Sequence, residues 1–266
     1  MNIENNRILI IDANNLFYRY YYRDSRTCLE ELEKIYTVSD YSFEKIIVIF
    51  DSENRTRDKF ISSYKANRKK SEDIKQKLKE FENSVQETQN NNYHNKYSVP
   101  VIFLKINRYE ADDLVFYLTQ KLQNKKIMLA TTDKDYYQFL TPNVKICKNL
   151  SVDGCDFVFD KIYELNNFNQ EFAYIDPLTQ YPILKALVGD PSDNIKGLYK
   201  VGDKTALKLL AQAPDIKSMY SLITIKYGEK EAKQFLIDYQ LIMPLPIKFM
   251  SAKDLSHLKK VIKNIQ

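Results

Sequence analysis

Histidine and cysteine are scarce in this chain, and long apolar runs are missing altogether. Two histidines, His94 and His257, and three cysteines, Cys28, Cys147 and Cys155, leave little material for a zinc site built from Cys and His. An odd cysteine count gives no paired disulfide framework and fits a reducing compartment. No stretch approaches the roughly 18 apolar residues that a membrane span needs. The opening MNIENNR is polar and acidic, unlike a secretory leader. These shortages exclude disulfide scaffolds and membrane spans, and the expected location is the cytoplasm.

What is present is enough for a large folded body. Hydrophobic residues make up 44% of the 266, sufficient for a packed core, so a soluble globular chain is expected. The net charge of +5 is modest but unevenly placed. Between Glu53 and Lys79 stand ten Lys/Arg against four Asp/Glu, a basic segment suited to a polyanion held by its phosphates. The runs ILII (8–11), KIIVIF (45–50), VIFL (101–104) and KIMLA (126–130) read as strands covered on both faces of a parallel sheet. VKIC (144–147) and DFVF (156–159) extend that sheet or form its edge. Helices are expected at about 15–36, 110–123 and 134–140.

Nine carboxylates sit where these runs end or helices begin. They are Asp12 after RILII, Asp51 after IIVIF, Glu110, Asp112 and Asp113 in YEADDL, Asp133 and Asp135 in TTDKD, and Asp190 and Asp193 in GDPSDN. Asp12, Asp51 and Asp133 fall at the carboxyl ends of strands, the edge of an open α/β sheet where ligands bind. Taken singly, each cluster could be no more than a helix cap or an acidic first turn. Brought together they would repel strongly unless cations neutralised them, and oxygen-only donors suit hard ions such as Mg²⁺ or Mn²⁺.

Two further segments stand out. SYKANRKK (63–70) places Lys65 and Arg68 three apart beside Tyr64; two cations suit a scissile phosphate, and an aromatic ring suits an unpaired base. Residues 71–89 follow, with Ser71 as an N-cap and a narrow stripe of Ile74, Leu78, Phe81 and Val85 on a charged helix. So thin a stripe predicts a helix that projects from the body. Lys69, Lys70, Lys75, Lys77 and Lys79 add to the basic character of this stretch.

The order IIDANN, VIFDSE, YKANR, EADDL, TTDKD, GDPSDN and GLYKVGDKTA resembles the 5′-nuclease family, which includes flap endonucleases, the 5′-exonuclease domain of bacterial DNA polymerase I and free-standing bacteriophage nucleases. The resemblance implies a PIN-like α/β fold, a mostly parallel sheet flanked by helices. It implies a helical arch at about 69–97 and a C-terminal helix–three-turn–helix DNA-binding subdomain. The nuclease domain would span 1–175 and the helical part 176–266. It further implies two divalent ions and hydrolysis near junctions of a 5′ single-stranded arm with duplex DNA, with RNA–DNA hybrid as a further substrate. Asp12, Asp51, Glu110 and Asp112 would serve the first ion, with Asp113 close by, and Asp133, Asp135, Asp190 and Asp193 the second. Lys65 and Arg68 match the family's basic pair at the foot of the arch, and the resemblance implies that Lys69, Lys70, Lys75, Lys77 and Lys79 guide the 5′ single-stranded arm. A monomer is expected, in contact with replication proteins such as a single-strand-binding protein, in a host's cytoplasm if phage-encoded. The hairpin at 197–204 would grip duplex through backbone N–H groups, with Gly197, Gly202, Lys204 and Thr205 in the family pattern.

One departure is visible. Lys200 stands where a middle glycine is common, which counts against a K⁺ ion held by turn carbonyls and puts a lysine within reach of a phosphate. No polymerase domain follows, so a stand-alone nuclease is expected. Two rival readings share parts of the pattern: a PIN-type ribonuclease, which lacks GDPSDN, and a branched-DNA binder without catalysis, which need not keep all four second-site acids.

Overall fold

The computed structural model describes residues 7–21, 30, 43–57, 64–66, 71–90, 99–153 and 156–265. Six strands form one sheet in the order β3-β2-β1-β4-β5-β6, with β1 Arg7–Asp12, β2 Lys45–Ile49, β3 Val101–Leu104, β4 Lys126–Ala130, β5 Val144–Asp153 and β6 Asp156–Tyr163. Pairing is parallel from β3 through β5, and β6 runs antiparallel as the far edge. In the register, Ile10 lies between Ile47 of β2 and Leu129 of β4. The apolar runs read from the sequence are these strands. Their near-continuous hydrophobicity follows from cover on both faces.

Alternation along the strands sends successive side chains to opposite faces. Ile8, Ile10, Ile47, Ile49, Ile127 and Leu129 point into a large apolar core. That core is completed by Leu114 and Leu118 of α3 (Ala111–Lys121) and by the C-terminal helices. Leu9, Ile11, Ile46 and Val48 point the other way, into a smaller core with Leu16 and Phe17 of α1 (Ala13–Tyr21) and Phe81 and Val85 of α2 (Glu72–Asn90). The helix expected to project is therefore docked. Val85 is 0% and Phe81 5% exposed, and the Phe81 ring lies 5.4 Å from Phe50 and 6.0 Å from Phe17. The reason is the second face of the sheet, which α1 shares with α2 as its apolar cover. A narrow stripe suffices when two of its members are large. Two polar ties add to this: Lys105 Nζ lies 2.7 Å from Glu82, and Gln89 Oε1 accepts from the Phe103 N–H of edge strand β3. Pairing that edge N–H removes a group that would otherwise be orphaned.

Beyond the sheet come α4 Leu165–Glu171, α5 Tyr181–Val188, α6 Asp203–Gln212, α7 Ile216–Tyr227, α8 Glu229–Ile242 and α9 Ala252–Ile265. Their apolar faces continue the larger core without interruption, through Leu184, Leu209, Met219, Phe235 and Ile262. Between α5 and α6 the backbone doubles back tightly. Gly189 and Gly197 take positive φ of 85° and 63°, and a Cβ on either would stand within 2.6 Å of the opposing backbone. Only glycine tolerates that approach.

Candidate active site

Asp12 and Asp51 are set by the sheet. Both follow apolar strands at the carboxyl edge, and each is held by a neighbouring backbone. Asp12 Oδ1 accepts from the Asn15 N–H at 3.0 Å and Oδ2 from the Thr131 hydroxyl at 3.1 Å. Asp51 Oδ1 accepts from the Ala111 N–H at 2.8 Å, while the Asp51 N–H donates to Asn14 Oδ1. Burial, with the nearby Asp51 charge next, pushes the Asp12 carboxyl up to about 6.

The turn into α3 supplies three more acids, as EADDL suggested. Glu110 and Asp113 form a capping box, each side chain accepting from the other's backbone. Ligand oxygens of Glu110, Asp112 and Asp113 lie within 4.8 Å of one another. Two basic side chains penetrate this group. Lys65 Nζ is 2.6 Å from Glu110 Oε1 and 3.4 Å from Asp193, and Arg57 Nη1 is 2.6 Å from Glu110 Oε2. Burial opposes the Glu110 charge, but Lys65 and Arg57 outweigh it and hold the carboxyl at about 2. Asp112 goes the other way: burial, then the Asp113 charge, raises it well above the ordinary range.

The second acid group comes from two 3₁₀ turns. Asp133 caps Lys134–Phe139 and accepts from the Asp135 N–H at 2.9 Å; Asp190 caps Pro191–Asp193 and accepts from the Ser192 N–H at 2.8 Å. Lys185 of α5 lies between them, 2.9 Å from Asp135 and 2.6 Å from Asp190. Burial, with Asp135 next, lifts Asp133 to about 7. Burial also acts against Asp190, yet Lys185 draws it below its usual value. Lys185 itself is held protonated, because Asp135 and Asp190 overcome the burial that disfavours its charge.

Eight of the nine predicted acids, all but Asp113, either line one open groove of about 1680 Å³ or, as Asp193 does, meet it through a lining side chain, Lys65. Glu72, Lys75, Leu78 and Lys79 of α2 form a wall, and Lys105 and Arg55 also face in. Arg57, Lys65 and Lys185 are ion-paired to the carboxylates at distances down to 2.6 Å. The nine acids outnumber these three cations, and Asp12, Asp112 and Asp133 are raised first by burial and then by the acids beside them. An all-oxygen donor set with excess negative charge fits hard divalent cations.

Some expected contacts are placed differently. The Tyr64 ring is buried, 4% exposed, and its hydroxyl faces Glu110 at 3.2 Å and Asp193 at 3.4 Å, so it presents no surface for stacking on a base. The larger core claims the ring and the acids claim the hydroxyl. The Gly197 N–H donates to Asp238 at 3.2 Å, and the Leu198 and Val201 N–H groups are used within the fold. Gly197 thus serves close backbone packing, with its N–H engaged by Asp238. Gly202 is the N-cap of α6, with Lys204 and Thr205 exposed in its first turn. Lys200 is exposed with φ of 59°, the left-handed region where glycine is at home. Arg68, Lys69 and Lys70 lie outside the described residues, as do most of the expected 15–36 helix and the far part of the arch.

The comparisons with known proteins divide the chain as the sheet and helices do. Residues 7–172 match the family model described as 5′-3′ exonuclease, N-terminal resolvase-like domain, and residues 177–260 match its partner, 5′-3′ exonuclease, C-terminal SAM fold. The chain belongs to the 5′-3′ exonuclease family. This nuclease is 30% identical over 237 residues to the 5′-3′ exonuclease of Buchnera aphidicola from Acyrthosiphon pisum, covering 83% of this chain and 76% of that protein. It is 29% identical to DNA polymerase I of Caldicellulosiruptor bescii over 85% of its own length, but spans only 27% of that polymerase. In fold it is similar to the bacteriophage T5 D15 flap endonuclease in complex with DNA and metal ions, with a TM-score of 0.75, 20% identity, and cover of 97% of this chain and 98% of that one. The T5 5′-exonuclease with zinc bound gives a TM-score of 0.74 at 20% identity, covering 97% and 99%.

Arg57 and Lys185 were not singled out in the sequence of this nuclease, although both touch the acids. Arg57 stood in a basic run with nothing to mark it from its neighbours. Lys185 left a faint trace, as a charged residue in the apolar stretch YPILKALV. Asn14 and Asn15 of IIDANN and Thr131 of TTDKD, which orient Asp51, Thr132 and Asp12, stood inside the motifs but were assigned no role from the sequence.

Proposed function

We propose that this nuclease is a divalent-metal-dependent, structure-specific 5′-nuclease. It would hydrolyse phosphodiester bonds near the junction of a 5′ single-stranded arm and duplex DNA, acting as flap endonuclease and 5′→3′ exonuclease. The observation that carries the reading is the convergence of acids from five separate segments around one groove, with Lys65 among them. Asp12, Asp51, Glu110 and Asp112 would hold one ion, and Asp133, Asp135, Asp190 and Asp193 the other. Bound there, Mg²⁺ or Mn²⁺ supplies a nucleophilic hydroxide at neutral pH and charge neutralisation at the leaving oxygen.

The chain's own residues provide the rest. The Lys65 ammonium sits between Glu110 and Asp193, where a scissile phosphate entering the groove would meet it, and it would stabilise charge that grows in the transition state. Lys75 and Lys79 on the groove wall would follow the backbone of the 5′ arm without reading bases. Lys200, Lys204 and the first turn of α6 would hold duplex phosphate. Removal of primers or flaps in replication, action on RNA–DNA hybrid, work as a monomer and contact with a single-strand-binding protein belong to the same proposal.

A 5′-labelled flap substrate tests it. Cleavage at the junction is expected with Mg²⁺, binding without cleavage with Ca²⁺, and no cleavage with EDTA. Undiminished cleavage in EDTA would overturn the metal assignment.

A further inference from the structure

We infer that Arg57 is a positioning residue, and that Asp113 is its partner in a buried clamp instead of a metal ligand. The inference rests on the metal-dependent reading above, and it reassigns one of the nine acids. Arg57 is 1% exposed although fully charged. Its Nη1 donates to Glu110 Oε2 at 2.6 Å and to Asp113 Oδ2 at 3.0 Å. Its Nη2 donates to Asp113 Oδ1 at 2.7 Å and to the Met243 carbonyl at 2.9 Å.

Asp113 is saturated from the other side as well. Its Oδ1 also accepts from the Leu245 N–H at 2.7 Å, and its Oδ2 from the Glu110 N–H at 2.9 Å. Two carboxylate oxygens offer about four acceptor sites, and four donors occupy them. The Asp113 side chain is 0% exposed and does not line the groove, whereas Glu110 and Asp112 do. A carboxylate in that condition has no lone pair to offer an ion. What it can do is fix the turn that carries the two acids beside it.

The guanidinium is suited to this task because its planar fork meets a carboxylate with two parallel bonds while a third donor reaches another acceptor. A lysine ammonium has no such fork. The clamp also draws on distant chain. Met243 and Leu245, just past α8, lock a turn more than a hundred residues earlier, and the Tyr109 hydroxyl adds a bond to the Pro246 carbonyl at 2.8 Å. The orientation of Glu110 and Asp112 toward the groove therefore depends on the C-terminal helices being in place. Arg57 does not touch substrate; it acts through Glu110 and Asp113.

The test uses the full chain with Arg57→Lys, Asp113→Asn and the double substitution. Mn²⁺ binding without DNA is followed by electron paramagnetic resonance, with thermal unfolding measured alongside. Partners that orient metal ligands typically change affinity by about 10- to 100-fold when replaced. A loss of that size is expected in each single variant, and the double variant should be no worse than the weaker single, since both break one clamp. Arg57→Gln, which keeps a two-pronged polar end, carries the test with the same expectation if Arg57→Lys does not fold. Wild-type Mn²⁺ affinity in a folded Arg57→Lys protein with a lowered unfolding temperature would overturn the inference and leave Arg57 merely structural. Weakening by Asp113→Asn alone, with Arg57→Lys unchanged, would restore Asp113 as a ligand and overturn it equally. Absence of Mn²⁺ binding in the wild-type chain would instead sink the metal reading, and the clamp's role with it.

Discussion

The two acid groups are built in different ways. The first stands on regular structure: Asp12 and Asp51 end parallel strands, and Glu110 caps α3 with a buried arginine behind it. The second stands on two short 3₁₀ turns from distant parts of the chain, joined by the single ammonium of Lys185. In the first group, Glu110 meets two buried cations at 2.6 Å each, and its loss would leave Lys65 with Asp193 at 3.4 Å and Arg57 with Asp113. In the second, one cation serves two acids, and either acid can be removed while the lysine keeps a partner.

The comparison can be broken most directly at Glu110. Replacing it with Gln would take the 2.6 Å carboxylate contact from two buried cations at once, leaving Lys65 with Asp193 at 3.4 Å and Arg57 with its pair to Asp113. A loss toward the lower end of the roughly 3–5 kcal/mol typical of a broken buried pair is expected. Asp190→Asn should cost under about 1 kcal/mol, because Lys185 retains Asp135. Both variants should lose cleavage. Equal losses in unfolding free energy, read from denaturant titrations, would show that the two groups are not so different.

Lys65→Ala is expected next in size. It should lower the single-turnover rate by about 10²- to 10³-fold, as loss of a donor aimed at developing charge does. Flap binding should change far less. A rate left untouched would remove Lys65 from the chemistry and leave it as a counter-ion of Glu110.

Proton linkage cuts across the two groups. Asp12, raised to about 6, and Asp133, raised to about 7, hold protons more tightly when folded than when unfolded. Their contribution therefore favours folding at low pH and is lost as pH rises from the ordinary carboxylate value through those raised values. Glu110, lowered to about 2, acts oppositely, and its contribution fades only as pH falls below the ordinary carboxylate range. Without divalent ions, the protein should melt at a higher temperature at pH 5.5 than at pH 7.5. Added Ca²⁺ should reverse that order. A melting temperature that rises from pH 5.5 to 7.5 without metal would contradict the burial of Asp12 and Asp133 beside other acids.

The smallest effect lies away from both groups. Lys200→Gly relieves a left-handed residue and should stabilise the fold by up to about 1 kcal/mol. If Lys200 meets a phosphate, the same change should reduce the salt slope of duplex binding by about one unit. An unchanged slope would limit the duplex grip to Lys204 and the α6 terminus.

Much of this site was legible in the order of residues. A strand-end aspartate advertises itself, because an apolar run of strand length followed by an acid places that acid at the rim of a sheet, and EADDL carries its own helix start. The sheet was legible for the same reason: strands buried on both faces are written as unbroken hydrophobic runs. Arg57, Tyr64 and Phe81 were not. A basic run does not say which of its members turns inward, an aromatic beside a lysine does not say whether it faces solvent or acids, and a thin apolar stripe does not say whether a sheet face awaits it. What the sequence by itself determined is the chemistry of the site: which acids exist, how they are spaced along strands and turns, and the family they place the chain in. What only the tertiary structure decided is which charges are partners. Pairing depends on contacts between residues up to 186 positions apart, as between Arg57 and Met243. Such contacts are set by packing of the whole core, and no local pattern records them.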